Sequence, residues 1–253
     1  MAAGSGDKAV FGGVEAFVFD VFGTVVDWRG TIVAAGTELG KAHGLTVEWP
    51  AFADRWRRDG YIKPIGRIVA GIEPWRPVTA MLADCLEQLA IEFGLGALAP
   101  EGLTRLLGTW ERLRPWPDAS AGLVRLREVG VISTLSNGSF SSLTRIARAG
   151  RLSWDCIIST ELFHTYKPDP EAYLGACRLL ELPPDRVMLV AAHPSDLSAA
   201  AACGLRTAYV PRPLEWGPDA PAPQPDGGRF DVSASDLGAL ADALGAPRRS
   251  SGI

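Results

Sequence analysis

Residues 16–26 read Ala-Phe-Val-Phe-Asp-Val-Phe-Gly-Thr-Val-Val, an apolar run interrupted by one carboxylate, Asp20, and followed by a Gly23-Thr24 turn. A carboxylate at the end of a buried strand is costly unless it is solvated, paired or used. In an open α/β sheet that end of a strand is also where ligands bind. Asp20 could act as a covalent nucleophile, splitting one hard displacement into two easier steps; the alternatives are a turn cap or a metal ligand. Two residues further on stands Phe22, not a second acid, so an acid–base partner at that spacing is missing. Ser136-Asn137-Gly138 closes a second apolar run, 131–135. A hydroxyl and exposed backbone N–H groups at a strand-to-helix junction suit an anionic oxygen. His193 lies in Ala191-Ala192-His193-Pro194-Ser195-Asp196. An imidazole there titrates near neutrality and could hydrogen-bond Asp20 or orient a water, or could simply be fixed by Asp196.

The elements that must position these residues fall into two kinds. Residues 14–26 form a strand and its loop, after which the parallel-sheet rhythm vanishes for about eighty residues. The intervening stretch is helical in pattern over 31–43, 49–61, 78–93 and 102–112, with Leu82, Cys85, Leu86 and Leu89 on one face of the third helix. Beyond Pro115, strands at 131–135, 156–159, 187–191 and 206–210 alternate with helices at 123–128, 143–149, 170–180 and 197–203. That order implies a parallel α/β sheet with right-handed crossovers. The Pro- and Gly-rich stretch 211–228 reads as a surface loop. The expected division is a core of residues 14–27 and 113–247, a helical insert of 28–112, and flexible tails at 1–13 and 248–253.

Composition narrows the function. The 253 residues are 47% hydrophobic and 21% charged, as in an ordinary globular protein, with a formal net charge of −4. That balance gives no general attraction to nucleic acid or anionic membranes, so an anionic substrate must be captured by local positive charge. Cys85, Cys156, Cys177 and Cys203 contain no Cys-x-x-Cys spacing, and reduced buried thiols are expected. No apolar run approaches the roughly 20 residues of a membrane span. The N-terminus lacks a basic region followed by an apolar one, so a cytoplasmic location is expected.

Taken in order, Asp20-x-Phe22-Gly23-Thr24, Ser136-Asn137-Gly138, Lys167-Pro168 and the strand ending near Asp196 resemble the four motifs of the haloacid dehalogenase (HAD) superfamily. Phosphatases of that superfamily carry Asp-x-Asp in the first motif and a Gly-Asp-x-x-x-Asp fourth motif that helps hold Mg²⁺. Here Phe22 replaces the second aspartate and Ala192 the first acid of the fourth motif. The departures point to the L-2-haloacid dehalogenase branch and to a site without metal or cofactor. The resemblance implies a doubly wound, Rossmann-like core with a small helical cap inserted after the first strand. It implies hydrolysis of short L-2-haloalkanoic acids to D-2-hydroxy acids and halide, through an aspartyl ester on Asp20 that water cleaves. Lys167 would keep Asp20 ionised and oriented, Thr24 would fix its rotamer, and Asp196 would position Lys167 or the water. Ser136 and Asn137 would take the substrate carboxylate, and Tyr173 would help close the site. Arg57, on an insert helix after the aromatic Trp56, would receive the departing halide, with Phe22 and Trp56 as apolar walls. The position of His193, where the dehalogenase pattern has Asn, leaves ester hydrolysis open to a different arrangement. A homodimer is implied as well, and the expected partner is a small haloacid, with no nucleic acid or membrane. The competing readings are a Mg²⁺-dependent phosphatase with a relocated acid, and a lapsed HAD-like binding protein.

Overall fold

The computed structural model describes residues 13–220 and 230–248. Strand β1 (Ala16–Phe19) is buried along its whole length, as expected of a parallel strand covered on both faces. Its side chains alternate: Phe17 and Phe19 enter one apolar layer, Ala16 and Val18 the other. The chain then forms β2 (Val26–Asp27) and helix α1 (Trp28–His43), whose Asp27 cap accepts the Gly30 N–H. Helices α2 (Trp49–Arg57), α3 (Lys63–Val69), α4 (Val78–Glu92) and α5 (Pro100–Leu107) follow. Strand β3 (Arg114–Pro115) returns antiparallel to β2, pairing Val26 with Pro115. The helical segment therefore leaves and rejoins the sheet through one short ribbon.

Helix α6 (Ala119–Leu126), β4 (Val131–Thr134), α7 (Phe140–Gly150), α8 (Pro170–Leu179), β5 (Val187–Ala191), α9 (Pro194–Ala202), β6 (Arg206–Tyr209), β7 (Val232–Ser233) and α10 (Leu237–Ala243) complete the described chain. The main sheet has the order β4-β1-β5-β6-β7 and all its pairs are parallel. β1 lies between β4 and β5, so the chain departs to opposite sides of it. The crevice at the carboxyl end of β1, where Asp20 sits, is the topological switch point at which such sheets bind ligands.

Two sequence expectations change. Residues 156–159 make only single bridges, Ser133 to Cys156 and Ser136 to Ser159, and form no strand. The Thr134 hydroxyl accepts the Ile158 N–H (3.0 Å) and donates to the Ile158 carbonyl (2.9 Å), so a side chain takes over bonds that a ladder would make. The helix expected over 49–61 breaks after Arg57 into a π-helical turn, Arg58–Ile62. Gly60 lies within that turn, against Cys85, where a Cβ would come within 2.9 Å of the Cys85 Cβ. Among the described residues no helix is long and apolar enough to cross a membrane. The expected N-terminal tail lies almost wholly outside the described residues, as does the C-terminal one after Arg248.

Candidate active site

Asp20 follows β1 directly, and its own N–H donates to the Val190 carbonyl at 3.1 Å. Its side chain is buried and receives three donors: Lys167 Nζ to Oδ1 at 3.0 Å, Thr24 Oγ1 to Oδ2 at 2.8 Å, and His193 Nδ1 facing Oδ2 at 3.0 Å. Burial by itself raises a carboxyl pKa. Here the adjacent Lys167 charge and the bonds from His193 and Thr24 more than offset it and hold Asp20 well below the usual carboxylate range. Thr24 is fixed in turn, accepting the Ala192 N–H at 2.8 Å.

Lys167, itself buried, reaches this place from a turn pinned by Asn137. The Asn137 Oδ1 accepts the Lys167 N–H (2.8 Å) and its Nδ2 donates to the Lys167 carbonyl (3.2 Å). The ammonium lies between two carboxylates, 3.0 Å from Asp20 and 2.6 Å from Asp196. Burial disfavours its charge, but Asp196 and Asp20 outweigh burial and raise its pKa above the ordinary lysine value. Tyr173 donates to the other Asp196 oxygen at 2.6 Å.

His193 bridges the nucleophile to Glu215, its Nε2 lying 2.9 and 3.1 Å from the two Glu215 oxygens. Glu215 is almost wholly buried and also accepts from Trp28 Nε1 at 3.0 Å. Burial would lower the imidazole pKa; Glu215 and Asp20 together push it up to about 10, so His193 rests as an imidazolium with a carboxylate at each nitrogen. Gly23 makes room for this pair. At φ +94° a Cβ there would fall 2.2 Å from Glu215 Oε1.

Arg57 ends α2 in a box of rings, its guanidinium carbon 3.9 Å from the Tyr61 centroid, 5.4 Å from Trp28 and 5.6 Å from Phe22. It is buried, and its Nε and Nη1 have no hydrogen-bond partner. A buried cation with unfilled donors is costly unless an anion completes it. A cavity of about 180 Å³ joins Arg57 and Tyr61 to Asp20, Asn137, Lys167, Tyr173, His193 and Asp196.

The geometry thus brings together most of the residues singled out in the sequence. Others support from behind. Trp56 is fully buried, donates to the Leu82 carbonyl and packs on Phe52 and Trp110. Phe22 meets Tyr61 and Trp110 edge-on. The buried Ser136 hydroxyl accepts the Gly138 N–H at 3.4 Å. None of these three is among the residues that line the cavity. His193 bonds Asp20 and Glu215, while Asp196 is taken by Lys167 and Tyr173.

Sequence reasoning missed Glu215 and Tyr61. Glu215 falls in the stretch read as a surface loop, where six prolines from 211 to 225 mask it; no local signal marks it. Tyr61 stands four residues after Arg57, the spacing at which helical side chains meet, and that spacing was the signal that could have found it.

A family model for haloacid dehalogenase-like hydrolases matches residues 14–204, and the chain belongs to that family. Within it, the chain is similar to dehalogenases. The crystal structure of an L-2-haloacid dehalogenase superposes with a TM-score of 0.87 at 43% identity, covering 92% of this chain and 99% of the other. A defluorinating L-2-haloacid dehalogenase gives 0.86 at 39% identity, over 92% and 96%. The (S)-2-haloacid dehalogenase 1 of Pseudomonas sp. (strain CBS-3) is 31% identical over 79% of this chain and 85% of its own length.

Proposed function

We propose that this protein hydrolyses short L-2-haloalkanoic acids to D-2-hydroxy acids and halide, with residues 28–112 acting as a cap over the 14–27 and 113–247 core. The observation that carries the reading is one cavity holding an ionised, lysine-bound Asp20 on one side and an unfilled, buried Arg57 on the other. In the first step an Asp20 oxygen attacks the α-carbon from behind. The carbon–halogen bond breaks, an ester forms on Asp20, and halide leaves with its electron pair toward Arg57. Asn137, on the cavity wall, is the nearest of the second-motif residues to the substrate carboxylate, with Ser136 behind it. Displacement from behind inverts the carbon, which turns an L substrate into a D product. No proton needs to reach the leaving group, which fits a chain with Phe22 in place of a second acid.

Esterification removes the negative charge of Asp20. His193 then loses one of the two anions that hold its proton, and its pKa falls from about 10. It sheds a proton to solvent, leaving Nδ1 free beside the ester while Glu215 keeps the Nε2 proton. Neutral His193 takes one proton from water as the oxygen adds to the Asp20 carbonyl carbon. Collapse returns the carboxylate, the second water proton leaves with the alcohol, and the imidazolium–carboxylate pair is restored.

A Mg²⁺-dependent phosphatase is not favoured. The Lys167 ammonium occupies the position between Asp20 and Asp196 that a cation would need, and the remaining Asp20 oxygen is already bonded to Thr24 and His193. Nor do the mutually satisfied Asp20, Lys167, His193 and Glu215 suit a lapsed binding protein. The test is halide release from L-2-chloropropionate and chloroacetate with and without EDTA, run beside the D enantiomer and a phosphate ester. Chelator-insensitive release from the L acid is expected; silence on the haloacids with chelator-sensitive phosphate release would refute the reading. Fluoroacetate belongs in the same panel, since one relative is a defluorinating enzyme. A cytoplasmic homodimer completes the proposal, and sedimentation measures its stoichiometry.

A further inference from the structure

Arg212 is a buried arginine outside the cavity, and the chemistry just described does not use it. Its guanidinium is fully engaged. Nη1 and Nη2 each reach an oxygen of Asp118 at 2.8 Å, and Nε donates to the Thr24 carbonyl at 2.8 Å. Asp118 is itself fixed, accepting the Leu237 N–H at 2.8 Å, and the guanidinium carbon lies 5.7 Å from the Trp116 ring centroid. The Trp116 indole donates to the Gly23 carbonyl at 2.8 Å. A planar fork with two parallel bonds to a carboxylate sets direction as well as strength.

Two backbone segments meet at this one residue. Its side chain grips the loop after Asp20, and its carbonyl accepts the Glu215 N–H at 3.0 Å. That bond closes a turn that delivers Glu215 to His193 and Trp28, in the space that Gly23 leaves open. Resting on the two-step reading above, we propose that Arg212, clamped by Asp118, is a positioning residue for ester hydrolysis that acts by aiming Glu215 at His193.

The groups that perform alkylation are anchored elsewhere. Asp20 is held by β1, Lys167 by Asn137 and Arg57 by its ring box; Thr24, whose carbonyl Arg212 grips, keeps a second anchor where its hydroxyl accepts the Ala192 N–H. Loosening the clamp should therefore slow the second step and spare the first. Removing the whole side chain would leave the half-buried Asp118 without its cation, so the test uses Arg212→Lys and Asp118→Asn. Each is mixed with excess L-2-chloropropionate, and halide is followed in the first turnover beside intact-protein mass.

A full halide burst is expected at a rate within about threefold of the unsubstituted enzyme. Hydrolysis should then fall roughly tenfold to a hundredfold, the loss of one charge-assisted bond, and the esterified protein should accumulate. In a Glu215→Gln background, Arg212→Lys should add nothing, because both changes break the same link. Equal slowing of both steps, no accumulated ester, or losses that multiply in the double variant would overturn the proposal. An unsubstituted enzyme that releases no halide, or an Asp20→Asn variant that still does, would instead refute the two-step reading itself.

Discussion

Asp20 and Arg57 face each other across one cavity, and each is set up before any substrate arrives. Asp20 is ionised because Lys167 and two hydrogen bonds outweigh its burial, and Arg57 is short of partners because rings, not carboxylates, surround it. Asp20→Asn should abolish halide release with circular dichroism and melting temperature little changed; residual turnover above background would remove Asp20 as nucleophile. Arg57→Ala deletes a preorganised charge worth roughly 3–4 kcal/mol in comparable sites, so kcat should fall by about two to three powers of ten. Loss confined to KM would mean that Arg57 binds substrate and does not stabilise the departing halide. His193→Gln should leave the halide burst intact while the ester persists, which intact-protein mass reads directly. A variant that lacks both burst and ester would place His193 in the first step.

At the scale of elements, the site depends on two local departures from regular structure. The loop after β1 must pass Glu215 at a residue with positive φ, and only glycine does this without strain. Gly23→Ala is expected to disorder the His193–Glu215 pair and slow ester hydrolysis more than halide release, as transient kinetics would show; equal rates of both steps would sink that expectation. Tyr61 stacks on the Arg57 guanidinium from within a π turn, where the pattern predicts an uninterrupted α-helix. These departures also mark the limit of what the sequence discloses. The buried β1, the strand Val187–Ala191 and the alternation beyond Pro115 are legible because burial on both faces writes continuous apolar runs. Asp20, Lys167 and Asp196 are legible because they end such runs or follow motifs in order. Glu215 is not, since it arrives from a Pro-rich loop that no periodicity describes and is captured by side chains distant in sequence, Trp28 and His193. Residues 156–159 misled because side-chain bonds from Thr134 replace the expected ladder.

For the molecule as a whole, charge burial ties stability to pH. The His193 pKa is raised from 6.5 to about 10 in the fold. Its contribution is therefore fully present below about pH 6.5 and is lost as pH rises through about 10. Asp20 runs the other way: its pKa is depressed, so its contribution holds above about 3.8 and is lost on acidification. The melting temperature should fall between pH 6.5 and 10, and that fall should be smaller in His193→Gln; identical profiles would mean that His193 is not charged in the fold. The central claim, covalent displacement by Asp20, is tested most directly by one turnover in H₂¹⁸O, with enzyme in excess over L-2-chloropropionate. Because water attacks the Asp20 carbonyl carbon, the label should enter the Asp20 carboxylate, and the first D-2-hydroxypropionate released should be unlabelled. Label in that first product, with none in Asp20, would mean that water attacks the substrate directly and would contradict the account.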